Sequence, residues 1–316
     1  MNADDVMLRR SLFGTPANAA GLVEKAVASD ADEVFLDLED SLAPSEKGSA
    51  RAELCTTVKK HEWDETVLSY RINAIGTRWW YEDVISVLGA VGKQIDTIIL
   101  PKVDTAAEVH TLSNLLEAVE INNGLEPGAI GVSVQIETAK GMTNVHEILT
   151  AHDRLRAVIF GPGDYSTSIG AIGHSTSPST VYPGHYWHYP LSRLSHAAAA
   201  ANLLAIGGPS TETDDIETFR ESCTYEQMLG YDGKIVIHPN QIRAANEVFA
   251  PTREDANRAN RIVDRYDDAD GSSIATIDGK VIDYETYRMA MTIVAKATKA
   301  GVLEWRSIIS NEGRGN

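Results

Sequence analysis

Cysteine and long apolar runs are scarce in this sequence, and each scarcity excludes a class of protein. Two cysteines among 316 residues, Cys55 and Cys223, are too few to build a structural zinc site by themselves, and a chain of this length does not need a disulfide to hold its core. Nowhere do eighteen uncharged apolar residues follow one another, which argues against a transmembrane helix. The segment from Met1 to Arg10 has no apolar run of the kind that a signal peptide carries. We therefore expect a cytoplasmic protein without a membrane partner.

Basic residues are also few. The chain has 28 lysines and arginines against 45 aspartates and glutamates, which gives a formal net charge of −17. Nucleic acids and anionic membrane surfaces attract clustered basic residues, so neither is an expected partner. Because only eleven of the basic residues are lysines, the acidity fits a surface adapted to a salty, halophilic cytoplasm as well as an ordinary acidic surface. With 43% hydrophobic residues, the chain can still bury a substantial core.

The sequence does contain a repeated alternation of two patterns. Eight short apolar, β-branched runs predict strands: Ser11–Pro16, Val34–Glu39, Val67–Asn73, Thr97–Val103, Val132–Thr138, Ala157–Asp164, Leu203–Pro209 and Lys234–Pro239. Between them, apolar residues recur every three or four positions, as in amphipathic helices: Leu22–Val27, Tyr81–Val91, Ala107–Glu120, Met142–Leu149 and Phe219–Leu229. Eight strand–helix repeats favour a closed α/β fold, the (β/α)8 TIM barrel, over the alternative of an open doubly wound sheet.

The composition changes after the eighth repeat. We assign residues 1–250 to the barrel and residues 251–316 to a C-terminal extension. The extension contains an Arg- and Asp-rich helical pattern (Glu254–Asp267), a hairpin pattern with Asp278-Gly279 at its tip, and a second helical pattern (Tyr284–Ala300). Since this arrangement is not a ninth strand–helix unit, it must pack on the barrel or on a neighbouring subunit.

The longest unpatterned stretch is Ser166–Pro190, which is too long for an ordinary connection within a barrel. Such a loop is typical of a functional lid or wall. His185 and His188 in this stretch have a spacing that could chelate zinc. No matching cysteine or acid accompanies them, so a substrate-lining loop is the preferred interpretation.

Polar residues crowd the carboxyl ends of the predicted strands, where barrel enzymes hold their active sites. Alternation along a strand places Asp37 and Glu39 on the same side. Carboxylates that converge on one mouth repel unless protons or a cation neutralise them, and oxygen ligands select Mg²⁺ or Mn²⁺ rather than Zn²⁺. Glu137 and Asp164 are the cleanest pair for such a site. The alternative is that acids such as Asp40 and Asp164 only cap the helices that follow them.

Two basic residues near the strand ends have more than one interpretation. Arg71 is costly to bury without an anionic partner, so it pairs with an acid such as Asp37 or Glu39, or it contacts a substrate. Lys102 follows Ile-Leu-Pro, a position from which a desolvated lysine can act as an imine-forming nucleophile. An ion pair is the commoner fate of a lysine in such a place.

Taken together, these strand ends resemble those of the citrate lyase β-subunit-like (HpcH/HpaI aldolase) family of acyl-CoA lyases. The matching stretches occur in the family's order over about 240 residues: SLFGTPA (11–17), FLDLEDSLAPSEKGSAR (35–51), SYRIN (69–73), WWYEDV (79–84), ILPKV (99–103), QIETAKG (135–141), FGPGDYSTSIG (160–170) and KIVIHPNQIRAANEVFAPT (234–252). The segment RWWYEDV and the long loop after Asp164 favour the malyl-CoA branch of the family. One departure lies in the opening loop, where Ala19 stands in a place at which relatives often have a basic residue that contacts the CoA phosphates.

The resemblance implies four groups of site residues. The ligands of Mg²⁺, or of Mn²⁺, are Glu137 and Asp164. The catalytic groups are Asp283, Arg71 and Glu137. The groups along the substrate and CoA channel are Leu12, Phe13, Lys25, Arg71, Gly163, Asp164, Ile237 and His238. The acids around the waters of the metal are Asp37, Glu39 and Asp40.

The implied activity is a reversible aldol cleavage of malyl-CoA or β-methylmalyl-CoA to glyoxylate plus acetyl-CoA or propionyl-CoA. Arg71 would steady the enolate oxygen, and Asp283 would be the base on a lid that closes over the site of an adjacent subunit. The implied assembly is a homo-oligomer, either a trimer or a hexamer. The alternatives are a malyl-CoA thioesterase that releases malate, a citramalyl-CoA or citryl-CoA lyase, a CoA-independent aldolase, and a non-catalytic assembly subunit.

Overall fold

The computed structural model describes residues 7–63, 66–171, 186–211, 213–268, 275–277 and 280–303. The first of two compact units, Arg9–Phe249, contains a closed barrel of eight parallel strands that pair in sequence order. The strands are β1 (Ser11–Pro16), β2 (Glu33–Asp37), β3 (Val67–Arg71), β4 (Thr97–Leu100), β5 (Gly131–Ile136), β6 (Leu155–Phe160), β7 (Leu204–Gly207) and β8 (Gly233–Val236). Strand β1 pairs with both β2 and β8, which closes the barrel.

Each strand is followed by at least one helix, because parallel neighbours can be joined only by a crossover. The helices are α1 (Ala20–Val27), α2 (Lys47–Lys60), α3 (Trp80–Val91), α4 (Ala106–Asn122), α5 (Ala139–Thr143), α6 (Val145–Leu149), α7 (Pro162–Ser168), α8 (His188–Ala200), α9 (Ile216–Met228) and α10 (Pro239–Phe249). Local sequence explains some helix starts. For example, α4 begins at a capping box formed by Thr105 and Glu108.

The interior of the barrel is filled in layers, because alternate residues of each strand point inward. At the amino ends of the strands, Arg9 donates to Glu33 over 2.5 Å and to Ser133 over 3.0 Å, and Ser69 donates to the other oxygen of Glu33. Above this polar plug lies an apolar layer made of Leu12, Phe35, Ile99, Ala157, Ile159, Ile206 and Ile235. The lower barrel is therefore closed, and only its carboxyl end is available for chemistry.

The second unit is built from residues 250 onward, together with residues 7 and 8. It contains α11 (Arg253–Asp268), a hairpin of β9 (Ala275–Ile277) and β10 (Lys280–Ile282), and α12 (Tyr284–Lys299). The two helices pack through small and branched side chains, Ala259 and Val263 against Ala290 and Val294. The predicted hairpin tip, Asp278-Gly279, lies outside the described residues.

All eight predicted strands are present, and the predicted closed barrel is confirmed. Most of the predicted runs were too long at their carboxyl ends; β2, for example, ends at Asp37 rather than Glu39. The physical reason is that the backbone at the mouth stops making strand hydrogen bonds and enters a loop. The sequence pattern of the strand nevertheless continues for a few more residues. Two other predictions need correction. The segment Met142–Leu149 contains two short helices separated at Asn144, and the ends of the supposed loop Ser166–Pro190 belong to α7 and α8.

Across the described part of the chain, no helix combines the length and apolar character that a bilayer crossing requires.

Candidate active site

The carboxyl ends of the strands surround a cavity of about 580 Å³. Its wall includes predicted site residues from the ends of four strands, β2, β3, β5 and β6: Asp37, Arg71, Glu137 and Asp164. These residues are far apart in sequence, and the parallel closure of the barrel brings them together because all the strands end at the same rim. The mouth is the candidate active site.

Glu137 is the most deeply placed acid of the mouth, with 2% of its surface exposed. One oxygen accepts the backbone N–H of Lys102 over 2.8 Å, and the other accepts the side-chain amide of Gln135 over 2.5 Å. The pKa of Glu137 is raised to about 8, mainly by burial and further by the neighbouring carboxylates of Glu39 and Asp164. The nearby cations therefore do not fully offset the cost of ionising this buried carboxyl group.

Gly161 makes the close approach of Glu137 possible. A Cβ atom at this position would lie 2.3 Å from Oε2 of Glu137, which no real contact allows. The glycine is therefore a part of the site that the strand-end pattern did not single out. Its signal in the sequence is a glycine directly after a buried strand, where the backbone must pass close to a side chain from the neighbouring strand.

Asp164 lies in the first turn of α7, and its Oδ2 atom is buried with no hydrogen-bond donor. The nearest cation is the ammonium group of Lys102, at 3.2 Å from Oδ2. The N-cap position of α7 is Gly161, so the alternative that Asp164 serves as the helix cap is wrong. Oδ2 of Asp164 thus has an ion-pair contact but no hydrogen bond, and it lines the same mouth as Glu137, whose pKa is raised. Two such carboxylates suit a divalent cation.

Among the described residues, no group of three or more His, Cys, Asp and Glu side chains is arranged to hold a metal. Mg²⁺ usually takes one or two carboxylates and completes its octahedron with water and substrate oxygens, so it does not need such a group. Glu137 and Asp164 are therefore suited to Mg²⁺ in their number, chemistry and unmet charge.

Arg71 is held by a two-pronged ion pair with Asp37. Its Nε and Nη2 atoms donate to the two oxygens of Asp37 over 2.7 and 2.6 Å, while Nη1 has only longer contacts of 3.5 Å with Glu39 and Gln135. Burial alone would raise the pKa of Asp37, but Arg71 brings it below its usual value. Of the two interpretations of Arg71, the structure shows the internal ion pair, and Nη1 is the part of the guanidinium left for a ligand.

Lys102 forms ion pairs and is not set up as a neutral nucleophile. Its ammonium group contacts Glu39 and both oxygens of Asp40, the latter at 3.0 Å. Although burial alone would lower the pKa of Lys102, these two carboxylates hold it above the usual range. These contacts also show the role of Asp40: its carboxylate binds Lys102, so the alternative that Asp40 caps a helix is wrong. An imine mechanism is excluded by this environment, since it requires a lysine that loses its proton easily.

A buried network behind Glu39 was missed by sequence reasoning. The ammonium group of Lys47 donates to the backbone oxygens of Leu38 and Glu39 and to the side chain of Asn73, and Asn73 in turn donates to Asp83. These bonds fix the loop that carries Glu39. Lys47 lies three residues before Ala50 on the buried face of α2, so a charged residue on an apolar helical stripe was the available signal.

The remaining predicted residues of the barrel are distributed unevenly. Ile237 and Gly163 line the cavity, and His238 is exposed beside it in sequence, with its ring nitrogen bonded to Asn240. Leu12 and Phe13 are buried in the core. Lys25 is exposed on α1, and neither it nor these two core residues lines the cavity.

The histidines of the proposed zinc alternative are only partly described. His188 begins α8 and bonds the hydroxyl of Tyr225 over 2.6 Å. His185 lies outside the described residues.

Asp283 belongs to the second unit, where it is exposed and caps α12. Its Oδ1 atom accepts the backbone N–H and the hydroxyl of Thr286 over 2.8 and 2.7 Å. The backbone hydrogen bond lowers the pKa of Asp283, so the carboxylate is ionised at neutral pH and able to accept a proton.

The sequence and the fold are both similar to those of known proteins. The pattern of the HpcH/HpaI aldolase/citrate lyase family matches residues 10–239. An L-malyl-CoA/β-methylmalyl-CoA lyase from Cereibacter sphaeroides is 34% identical over 301 residues, which cover 92% of this chain and 94% of that protein. The crystal structure of CitE from Mycobacterium tuberculosis in complex with magnesium, acetoacetate and coenzyme A is 25% identical, has a TM-score of 0.71, and is aligned over 91% of this chain and 97% of that one. A citrate lyase from Burkholderia xenovorans, at 21% identity, shares the fold with a TM-score of 0.79 over 95% of this chain and 96% of that one.

Proposed function

The chain belongs to the HpcH/HpaI aldolase/citrate lyase family and is a carbon–carbon lyase, and from that premise we propose that it cleaves malyl-CoA or β-methylmalyl-CoA. The products are glyoxylate and acetyl-CoA or propionyl-CoA, the reaction is reversible, and Mg²⁺ is the cofactor. The observation that carries the proposal is that Glu137, whose pKa is raised, and Asp164, whose Oδ2 faces the ammonium group of Lys102, line one mouth together with Arg71. Support also comes from relatives that bear the malyl-CoA lyase name and from a magnesium-containing relative.

Glu137 and Asp164 are the residues that would hold the cation. When bound, Mg²⁺ supplies a Lewis acid that polarises a carbonyl oxygen of the substrate. The protein's part is to hold the carboxylate of Glu137 in place, through the backbone N–H of Lys102 and the amide of Gln135, so that the free energy gained on neutralising it favours cation binding.

Arg71 would stabilise the enolate that forms when the carbon–carbon bond breaks. The charge that develops on the thioester oxygen needs a preorganised donor, and Asp37 holds the guanidinium in one orientation before substrate arrives. Nη1, with only long contacts inside the protein, is the donor available to that oxygen.

Asp283 of an adjacent subunit would move the proton. In the condensation direction its carboxylate takes a proton from the carbon next to the thioester, and the alkoxide that forms takes a proton from solvent. In the cleavage direction solvent takes the proton of the substrate hydroxyl, and protonated Asp283 returns a proton to the carbon next to the thioester. Closing residues 251–316 over the neighbour's mouth would keep water from protonating the enolate. This role makes a homo-oligomer part of the proposal.

The test is to incubate the purified protein and Mg²⁺ with glyoxylate and acetyl-CoA, or with propionyl-CoA, and to identify the products by mass spectrometry. Malyl-CoA or β-methylmalyl-CoA is the expected product. Accumulation of free malate would show thioester hydrolysis in addition. If no CoA-dependent product forms with either thioester, the proposed function is wrong.

A further inference from the structure

Lys102 touches both of the proposed metal ligands, and it does so with different parts of the residue. Its backbone N–H donates to Glu137, and its ammonium group lies 3.2 Å from the buried Oδ2 of Asp164. The residue has a φ of 54°, in the left-handed region that side chains other than glycine rarely adopt. A backbone held in this region is usually maintained by its surroundings at a functional site.

The ammonium group of Lys102 is the cation that pairs with Asp164 among the described residues. It also pairs with Glu39 and Asp40, so it is held by three carboxylates from two different strand ends. Arg71, the other cation of the mouth, is directed to Asp37 and Glu39. Asp164 therefore depends on Lys102 for its charge compensation among the described residues.

A divalent cation that binds Glu137 and Asp164 needs the same oxygen that faces this ammonium group. The two positive charges cannot both approach Oδ2 closely, because like charges a few ångströms apart repel strongly in a partly buried site. When the ammonium group moves away from Asp164, its ion pairs with Glu39 and Asp40 can remain. The exchange therefore needs only a small movement of one flexible side chain.

We propose that the ammonium group of Lys102 competes with the divalent cation for Asp164 and thereby weakens metal binding. Lys102 is then a positioning residue that neutralises the mouth when the metal is absent and withdraws toward Glu39 and Asp40 when the metal binds. This inference rests on the proposed metal site. It differs from the simpler view that Lys102 only orders the ligands, because ordering predicts weaker metal binding when the side chain is removed and competition predicts tighter binding.

The experiment compares Mg²⁺ binding by metal-stripped wild-type protein and the Lys102→Met variant, using isothermal titration calorimetry. Methionine keeps the length of the side chain and removes its charge. We expect the dissociation constant for Mg²⁺ to fall about tenfold in Lys102→Met, a change of about 1.4 kcal/mol. Lys102→Arg, which keeps the charge, should remain within about threefold of the wild type.

Lys140→Met is the matched control for loss of a positive charge, since Lys140 is an exposed lysine whose ion pair, at 3.6 Å, is with Asp104. Its affinity for Mg²⁺ should not change. A second readout covers the case in which Lys102→Met is less stable without metal: Mg²⁺ should then raise its melting temperature by more than that of the wild type. Unchanged or weaker binding in Lys102→Met would overturn the competition. Absence of Mg²⁺ binding by the wild type would instead overturn the proposed metal site.

Discussion

At the scale of single residues, the mouth of the barrel has more negative charge than its cations compensate. Asp37 pairs with Arg71, while Glu39, Asp40 and Asp164 share the single ammonium group of Lys102. The pKa of Glu137 remains raised. The sequence predicted which acids would be at the strand ends. It could not predict which of them would remain uncompensated, because that depends on side chains that approach from other strands.

Glu137 provides a prediction of pH dependence. Its pKa is about 8 in the folded protein against a usual value of 4.5, so the folded state retains a proton that the unfolded chain releases. The stabilisation from this proton is present in full below pH 4.5 and is lost as the pH rises through about 8. In metal-free protein, the melting temperature of the wild type should therefore fall more steeply than that of Glu137→Gln between about pH 5 and pH 9.

Thermal unfolding followed by circular dichroism, with a chelator present, measures this difference. Mg²⁺ should restore much of the lost stability of the wild type at the alkaline end, and little of it in Glu137→Gln, since glutamine is a poor metal ligand. Parallel pH profiles for the two proteins would show that Glu137 is ionised in both the folded and unfolded states over this range.

At the scale of secondary structure elements, strand ends and helix starts fix the direction of the functional side chains. Alternation along β5 directs Gln135 and Glu137 to the same side, and the start of α7 directly after β6 brings Asp164 to the rim. These directions follow from the periods of strands and helices, so the sequence predicts them well. Element ends were predicted less well, as β2 shows, because polar residues at a barrel mouth look like a continuation of the strand.

Asp283 belongs to this scale because one carboxylate serves as a helix cap and as the proposed base. Asn is as good an N-cap as Asp, so Asp283→Asn should melt within about 1 °C of the wild type. It should nevertheless lose lyase turnover by about a hundredfold or more, since an amide cannot take a proton.

Asp283→Ala separates the two roles. It should be equally inactive and should also be less stable by about 1 kcal/mol, because the cap of α12 is lost. The measurements are turnover with Mg²⁺, acetyl-CoA and glyoxylate, and thermal melting. Turnover of Asp283→Asn near the wild-type rate would eliminate Asp283 as the base.

At the scale of the whole molecule, the negative charge is concentrated in the barrel. Residues 9–249 contain 18 lysines and arginines against 32 aspartates and glutamates, whereas residues 250–316 contain ten against eleven. On α11, three exposed arginines recur at helical spacing on one face and make no ion pair with the described residues: Arg258, Arg261 and Arg265. This arginine stripe suits contact with an acidic partner, and residues 9–249 of a second copy carry a formal net charge of −14 (18 minus 32).

If residues 251–316 dock on the barrel of an adjacent subunit, as we propose, this stripe should contribute to assembly. Changing Arg258, Arg261 and Arg265 together to Gln should shift the protein toward smaller species and weaken association by about tenfold at low salt. The control changes three cations of the same unit that lie off the stripe, Arg253, Arg288 and Lys299, to Gln. Analytical ultracentrifugation measures both, and equal assembly of the two triple variants would count against the stripe.

The sequence by itself determined the fold class, the eight strand–helix units and the acids at the strand ends, because hydrophobic period and residue order are local properties. It also placed Asp283 after a hairpin and before a helix, and the structure has it there as the cap of α12. Only the tertiary structure decided how the charges are shared: Arg71 is held by Asp37, Lys102 connects Glu137 with Asp164, and Gly161 makes room for Glu137. These arrangements depend on distances between residues far apart in the chain, which are fixed when the barrel closes.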